Sequence, residues 1–147
     1  MATTPKASAV TTALRERLEQ IQPDNGYLTA LARVYGPRDD VRDKAPMPYA
    51  LVRPANDTRT GSAVYQATRV RLFEIEVVFS KASEESALDA IHVDVLRALG
   101  FGQDQPERKF PGLIEDEDEA VWRWAQKGET THSITITLGV AYVENYN

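Results

Sequence analysis

Two runs of strict alternation constrain this chain more than anything else in it. In the last strand pattern, Ile134, Ile136, Leu138, Val140 and Tyr142 alternate with Ser133, Thr135, Thr137, Gly139 and Ala141. In the middle of the chain, Phe73, Ile75, Val77 and Phe79 alternate with Leu72, Glu74, Glu76 and Val78. Side chains alternate across a strand, so each run offers one apolar face and one mixed face. A face carrying two glutamates is half wet, which predicts a sheet that buries one side only.

The apolar side needs a cover, and two helical patterns can supply it. Val10, Leu14, Leu18 and Ile21, with Ala13 beside them, recur at helical spacing after Ser8, a candidate N-cap. Pro23 and Asn25-Gly26 end that helix. The second stripe is Ala87, Leu88, Ile91, Val95 and Leu99. It starts at Ser83 with Glu84 and Glu85 behind, where acids suit the positive end of the dipole, and stops at Gly100.

Between the helices lie a brief strand at Arg33-Val34-Tyr35, a charged loop from Arg38 to Lys44, and a strand at Tyr49-Ala50-Leu51-Val52. Pro54 is expected to stop the ladder, with residues 56–61 as a hairpin tip and the return strand running from about Tyr65 to Ser80. Residues 100–120 read as a long loop ending in Glu115-Asp116-Glu117-Asp118-Glu119, before a strand at Val121 to Gln126. The expectation is one α+β domain over 1–147, with residues 1–7 flexible. Its mainly antiparallel sheet carries two helices packed on one face, in the order α-β-β-β-α-β-β.

Composition removes several functions. There is no cysteine, hence no disulfide framework, thiol nucleophile or cysteine-held metal. A net charge of -5 is the wrong sign for a dedicated nucleic-acid binder. No apolar run reaches the roughly 20 residues of a membrane span, and the first residues lack the apolar core of a secretory signal.

The chemistry-bearing residues are few. His92 and His132 stand 40 positions apart with no serine or acid at telling spacing, so both read as surface or boundary residues. Glu74 and Glu76 share a strand face and, with Asp116 or Asp118, could form a crude acidic site for a metal-dependent hydrolase or nuclease. No lysine stands at a useful spacing for that role. No phosphate loop, nucleophile elbow or HExxH occurs. The expectation is no enzyme, no catalytic residue, no metal and no cofactor.

Contact surfaces are the better use of the remaining residues. The acidic run Glu115, Asp116, Glu117, Asp118 and Glu119 is either a solvated loop or a patch of strong negative potential facing arginines of a neighbouring subunit. Arg69 and Arg71, on one strand face, are the candidate partners. Trp122 and Trp124 follow the acids on one strand face and are either core residues or, as indoles beside a charged loop, part of an interface. Asn56, Asp57, Thr58 and Arg59 form a polar tip that is either free or a docking arm.

The order of types resembles the bacteriophage tail terminator family, the lambda-like tail terminator and tail-completion proteins. The likeness rests on Leu18-Glu19-Gln20-Ile21, Asn25-Gly26-Tyr27-Leu28-Thr29, Arg33-Val34-Tyr35-Gly36-Pro37-Arg38 and Pro48-Tyr49-Ala50-Leu51-Val52. It continues through Phe73-Glu74-Ile75-Glu76-Val77, the helix from Ala90 to Leu99, and the closing Val140-Ala141-Tyr142-Val143. It spans nearly the whole chain as a pattern of types, without a rigid motif. The resemblance implies a non-enzymatic, late virion protein of the tail or neck, assembled in the bacterial cytoplasm. It implies a homo-oligomer, typically a hexameric ring, that caps the tail tube, ends its polymerisation and joins it to the head-tail connector or head-completion protein. DNA would pass through the lumen without specific binding, and no membrane is involved. Another neck component is the nearest variant of this expectation.

Overall fold

A computed structural model describes residues 4–42 and 44–147, with Glu117 described by its backbone alone. The elements are α1 (Lys6–Leu18), β1 (Arg33–Tyr35), β2 (Tyr49–Ala63), β3 (Gln66–Ser80), α2 (Glu85–Leu99), β4 (Leu113–Arg123) and β5 (Thr131–Asn145). They form one five-stranded sheet in the order β1-β2-β3-β5-β4. Among the described residues β1 and β2 run parallel and the other pairs are antiparallel. The fold is the expected α+β arrangement, α-β-β-β-α-β-β, with both helices on one face of the sheet.

The two alternating runs are its spine. Phe73, Ile75 and Val77 of β3 stand opposite Leu138, Ile136 and Ile134 of β5, and all six are fully buried. Each such side chain contributes about 1.5–3 kcal/mol by leaving water. Leu14, Leu18 and Ile21 from the α1 side, and Leu88, Ile91, Val95 and Leu99 from α2, close over them with no exposure at all. Asp94 is also fully buried, and its carboxylate accepts the backbone N–H groups of Leu28 (3.1 Å) and Thr29 (2.7 Å). That contact pins the chain between α1 and β1 onto α2.

Several boundaries differ from the sequence reading, each for a local reason. Pro54 does not stop the ladder, and residues 56–61 are not a hairpin tip. Strand β2 absorbs Pro54 and Gly61 in register shifts at Pro54/Asn56 and Arg59/Gly61 and continues to Ala63. The turn therefore falls at Val64-Tyr65. The N-cap of α1 is Pro5 rather than Ser8, and α2 begins after Glu84 rather than Ser83. Of the residues expected to be flexible, 1–3 lie outside the described residues, and Lys6 and Ala7 are already helical. Ala13 sits on the exposed side of α1.

The 100–120 loop is likewise shorter than expected. Gly100 ends α2 with φ 82, where an added Cβ would overlap the Arg108 carbonyl. Strand β4 then begins at Leu113, so the acidic run lies within the strand's span. It bulges there: Ile114 faces Gly139 and Glu119 faces Thr137, leaving 115–118 without ladder partners. Strand β4 also ends at Arg123, so Trp124 stands past the ladder. No helix among the described residues is long and apolar enough to cross a membrane.

Candidate functional site

At one end of the sheet, the hairpin β2–β3 carries a compact charge cluster on the helix side. Asp57 of β2 accepts from Arg69 Nε at 2.5 Å and Arg71 Nε at 2.9 Å, and from the Tyr142 hydroxyl of β5. Burial alone would raise the Asp57 pKa, but the hydrogen bonds from Tyr142, Arg69 and Arg71 outweigh it and hold the carboxyl below its ordinary value. Burial, then the Asp57 carboxylate, pushes the Tyr142 phenol up. Arg71 also reaches Thr11 Oγ1 on α1 at 3.4 Å, and Arg69 reaches the Tyr146 hydroxyl at 3.4 Å. Asp57, Arg69 and Arg71 are thus brought together as partners within one chain. Asn56, Thr58 and Arg59 flank them on β2.

Next to this cluster, Glu144 of β5 caps α1 from a distance. Its two carboxylate oxygens accept Lys6 N (3.0 Å) and Ala7 N (3.1 Å). Burial pushes the Glu144 pKa up, but the backbone donors of Ala7, Lys6 and Asn145 win and lower it. The sequence gives no signal for a cap supplied by a residue 138 positions away.

The acidic run occupies the opposite edge of the sheet, on β4. Glu115 pairs with Lys109 at 2.8 Å, and Asp118 lies 3.6 Å from His92 Nε2. Asp116 and Glu119 are exposed and have no ion-pair partner among the described residues. The run and Arg69 with Arg71 are not brought together within the chain. Trp122 is half-buried and meets the His92 ring edge-on at 5.8 Å. Trp124 is 38% exposed and meets His132 at 5.2 Å, while His132 Nδ1 accepts Ala125 N at 2.8 Å.

The face of the sheet away from the helices carries Glu74 and Glu76. Arg53 of β2 lies against both, with Nε 3.6 Å from Glu74 and Nη2 3.3 Å from Glu76. A guanidinium between two carboxylates offsets one of the two negative charges that a cation would need. Glu119 shares their row across Thr137, two strands and about 10 Å away. Asp118 turns instead toward His92 on α2. Among the described residues no group of three or more His, Asp or Glu side chains is placed to hold a metal ion.

A second feature escaped the sequence reading. A cleft of ≈ 390 Å³ opens between α1 and the segment after β1, lined by Ser8, Thr11, Thr12, Arg15, Arg38 and Arg71 among others. Helical spacing places Ser8, Thr11, Thr12 and Arg15 on adjacent turns. Arg15 lies flat against Gly36, where a Cβ would come within 2.8 Å of its Cζ. Nothing in the sequence marks Arg15 or Arg38 apart from other charged residues, because the cleft joins segments distant along the chain. No family model and no curated protein matches this chain.

Proposed function

We propose that this protein is a tail terminator of a long-tailed bacteriophage: a non-enzymatic ring subunit that caps the tail tube, ends its polymerisation and joins it to the head connector. The resemblance described above supports this reading, and so does the α+β order of elements that the resemblance implies. The observation that carries it is the β2–β3 hairpin. Each strand has 15 residues, about 50 Å at roughly 3.3 Å per residue. Strand β1 pairs with Tyr49 to Leu51, so from Val52 to Ala63 β2 has no strand on its outer side among the described residues. The hairpin ends in Val64 and Tyr65, which are 82% and 64% exposed. A hairpin fixed by the Asp57 cluster and ended by exposed apolar side chains is suited to reach a neighbouring molecule.

On this reading the protein acts through its surfaces, as a homo-oligomer of typically six copies, in the tail or neck of the virion. The tail tube protein and the head-tail connector are its partners, and DNA passes through without specific binding. The test is to add the protein to polymerising tail tube subunits of the same virus and measure tube lengths by electron microscopy. The reading expects short tubes carrying a ring at one end. Tubes of unchanged length with no attached ring would overturn it.

A further inference from the structure

We propose that the arginine cleft beside α1 is the receptor for the acidic bulge of β4 from a second copy of this chain. The proposal rests on the ring reading above and names the contact that would build the ring.

The cleft is the wrong composition to stand alone. Arg15, Arg38 and Arg71 line it with Ser8, Thr11 and Thr12, while Asp39 is the single acid in its wall among the described residues. Asp39 is already engaged, its carboxylate accepting Gly36 N at 2.7 Å. Arg71 is held by Asp57, but neither Arg15 nor Arg38 has an ion-pair partner among the described residues. Arg15 gives one long hydrogen bond to the Val52 carbonyl (3.4 Å), and its buried Nε has no acceptor among the described residues. Guanidiniums stay charged at all working pH values, and their planar donors match carboxylates. Hydroxyls on adjacent turns of α1 add further donors. The ligand such a cleft takes is a carboxylate-bearing segment.

The chain itself supplies one. The bulge presents Asp116 on a stretch of β4 that leaves the ladder, and Glu119 follows where the ladder resumes opposite Thr137; neither has an ion-pair partner among the described residues. The cleft lies on the helix side of the sheet, between α1, the segment after β1, Pro54 of β2 and Arg71 of β3. The bulge lies on β4, the edge strand beyond β5. A subunit therefore cannot satisfy itself, but the next copy can satisfy it. Two unlike patches make a heterologous, head-to-tail contact, which closes into a ring when the rotation allows and otherwise runs on as a filament.

Charge reversal tests the contact. Arg38 and Asp116 are both exposed, so Arg38→Glu and Asp116→Arg should keep the wild-type circular dichroism and melting temperature. Assembly is followed by native mass spectrometry and light scattering across a concentration series. Each single reversal should raise the concentration at half-assembly by about tenfold or more, and the double variant Arg38→Glu/Asp116→Arg should restore it. Wild-type assembly that neither reversal weakens would overturn the cleft–bulge contact and leave the ring reading standing. Two weakened single variants with no recovery in the double would do the same. Open filaments with the expected reversal and rescue would support the contact and sink the ring. A wild-type chain that stays single at every concentration would overturn both.

Discussion

The Asp57 cluster and the acidic bulge of β4 look alike as sequence, two polar stretches at odds with the strands around them, yet the fold treats them in opposite ways. At Asp57 one carboxylate receives two arginines and a tyrosine from two neighbouring strands. Along 115–119, Glu115 meets one lysine and Asp118 one histidine, while Asp116 and Glu119 are exposed with no ion-pair partner among the described residues. The difference is the position in the sheet. Asp57 lies opposite Arg71 on a ladder that brings Tyr142 within reach. The bulge lies on an edge strand with a neighbour on one side only. A charge inside the ladder finds its counter-ion in the chain; a charge at the edge is left for something else, or simply protects the edge from unwanted pairing.

That comparison can be broken by substitution. The largest expected effect is at Asp57: Asp57→Asn should cost about 2 kcal/mol at pH 7, because it weakens three charge-assisted hydrogen bonds at once. Its pKa is lowered in the fold, so its contribution is present above the unfolded value, about 3.9, and is lost as pH falls through the lower folded value. The gap between wild type and Asp57→Asn should therefore be constant from pH 7 to about 5 and shrink towards pH 2. Urea melts at several pH values measure it, and a gap that widens on acidification would contradict the assignment.

A smaller effect is expected at Glu144, whose loss frees two N–H groups at the start of α1. Glu144→Ala should cost about 1 kcal/mol, the usual value of an N-cap, and amide exchange should quicken first at Lys6 and Ala7. An unchanged melt with unchanged exchange would remove the cap from the account. The smallest effect belongs to the bulge. Asp116→Ala and Glu119→Ala should each move monomer stability by less than about 0.5 kcal/mol. A large loss there would show that the bulge belongs to the fold of the subunit, and the contrast with Asp57 would collapse.

Legibility in the sequence followed the same division. The buried stripes of both helices, the Gly100 stop and the alternation of β3 and β5 were readable because each depends on neighbours three, four or two residues away. The length of β2 was not. Asn56 to Gly61 has the composition of a turn, but the pairing of Arg71, Val70 and Arg69 with Asp57, Thr58 and Arg59 draws it into the sheet. The start of β4 was hidden for the same reason, since Leu113 and Ile114 are held by Val140 and Gly139 of a strand that comes later. Which partners the charged candidates meet depends on strand register, which local spacing does not carry. Arg69 and Arg71 pair with Asp57 inside the chain, whereas Arg15 and Arg38 of the cleft have no ion-pair partner among the described residues.

A ring built from head-to-tail contacts is the central claim, and the native mass of the purified protein tests it most directly. The account predicts a closed species, typically six times the 16.4 kDa of one chain, that dissociates as salt rises from about 0.15 M to 1 M. A single chain of 16.4 kDa at every concentration and at low salt would contradict it.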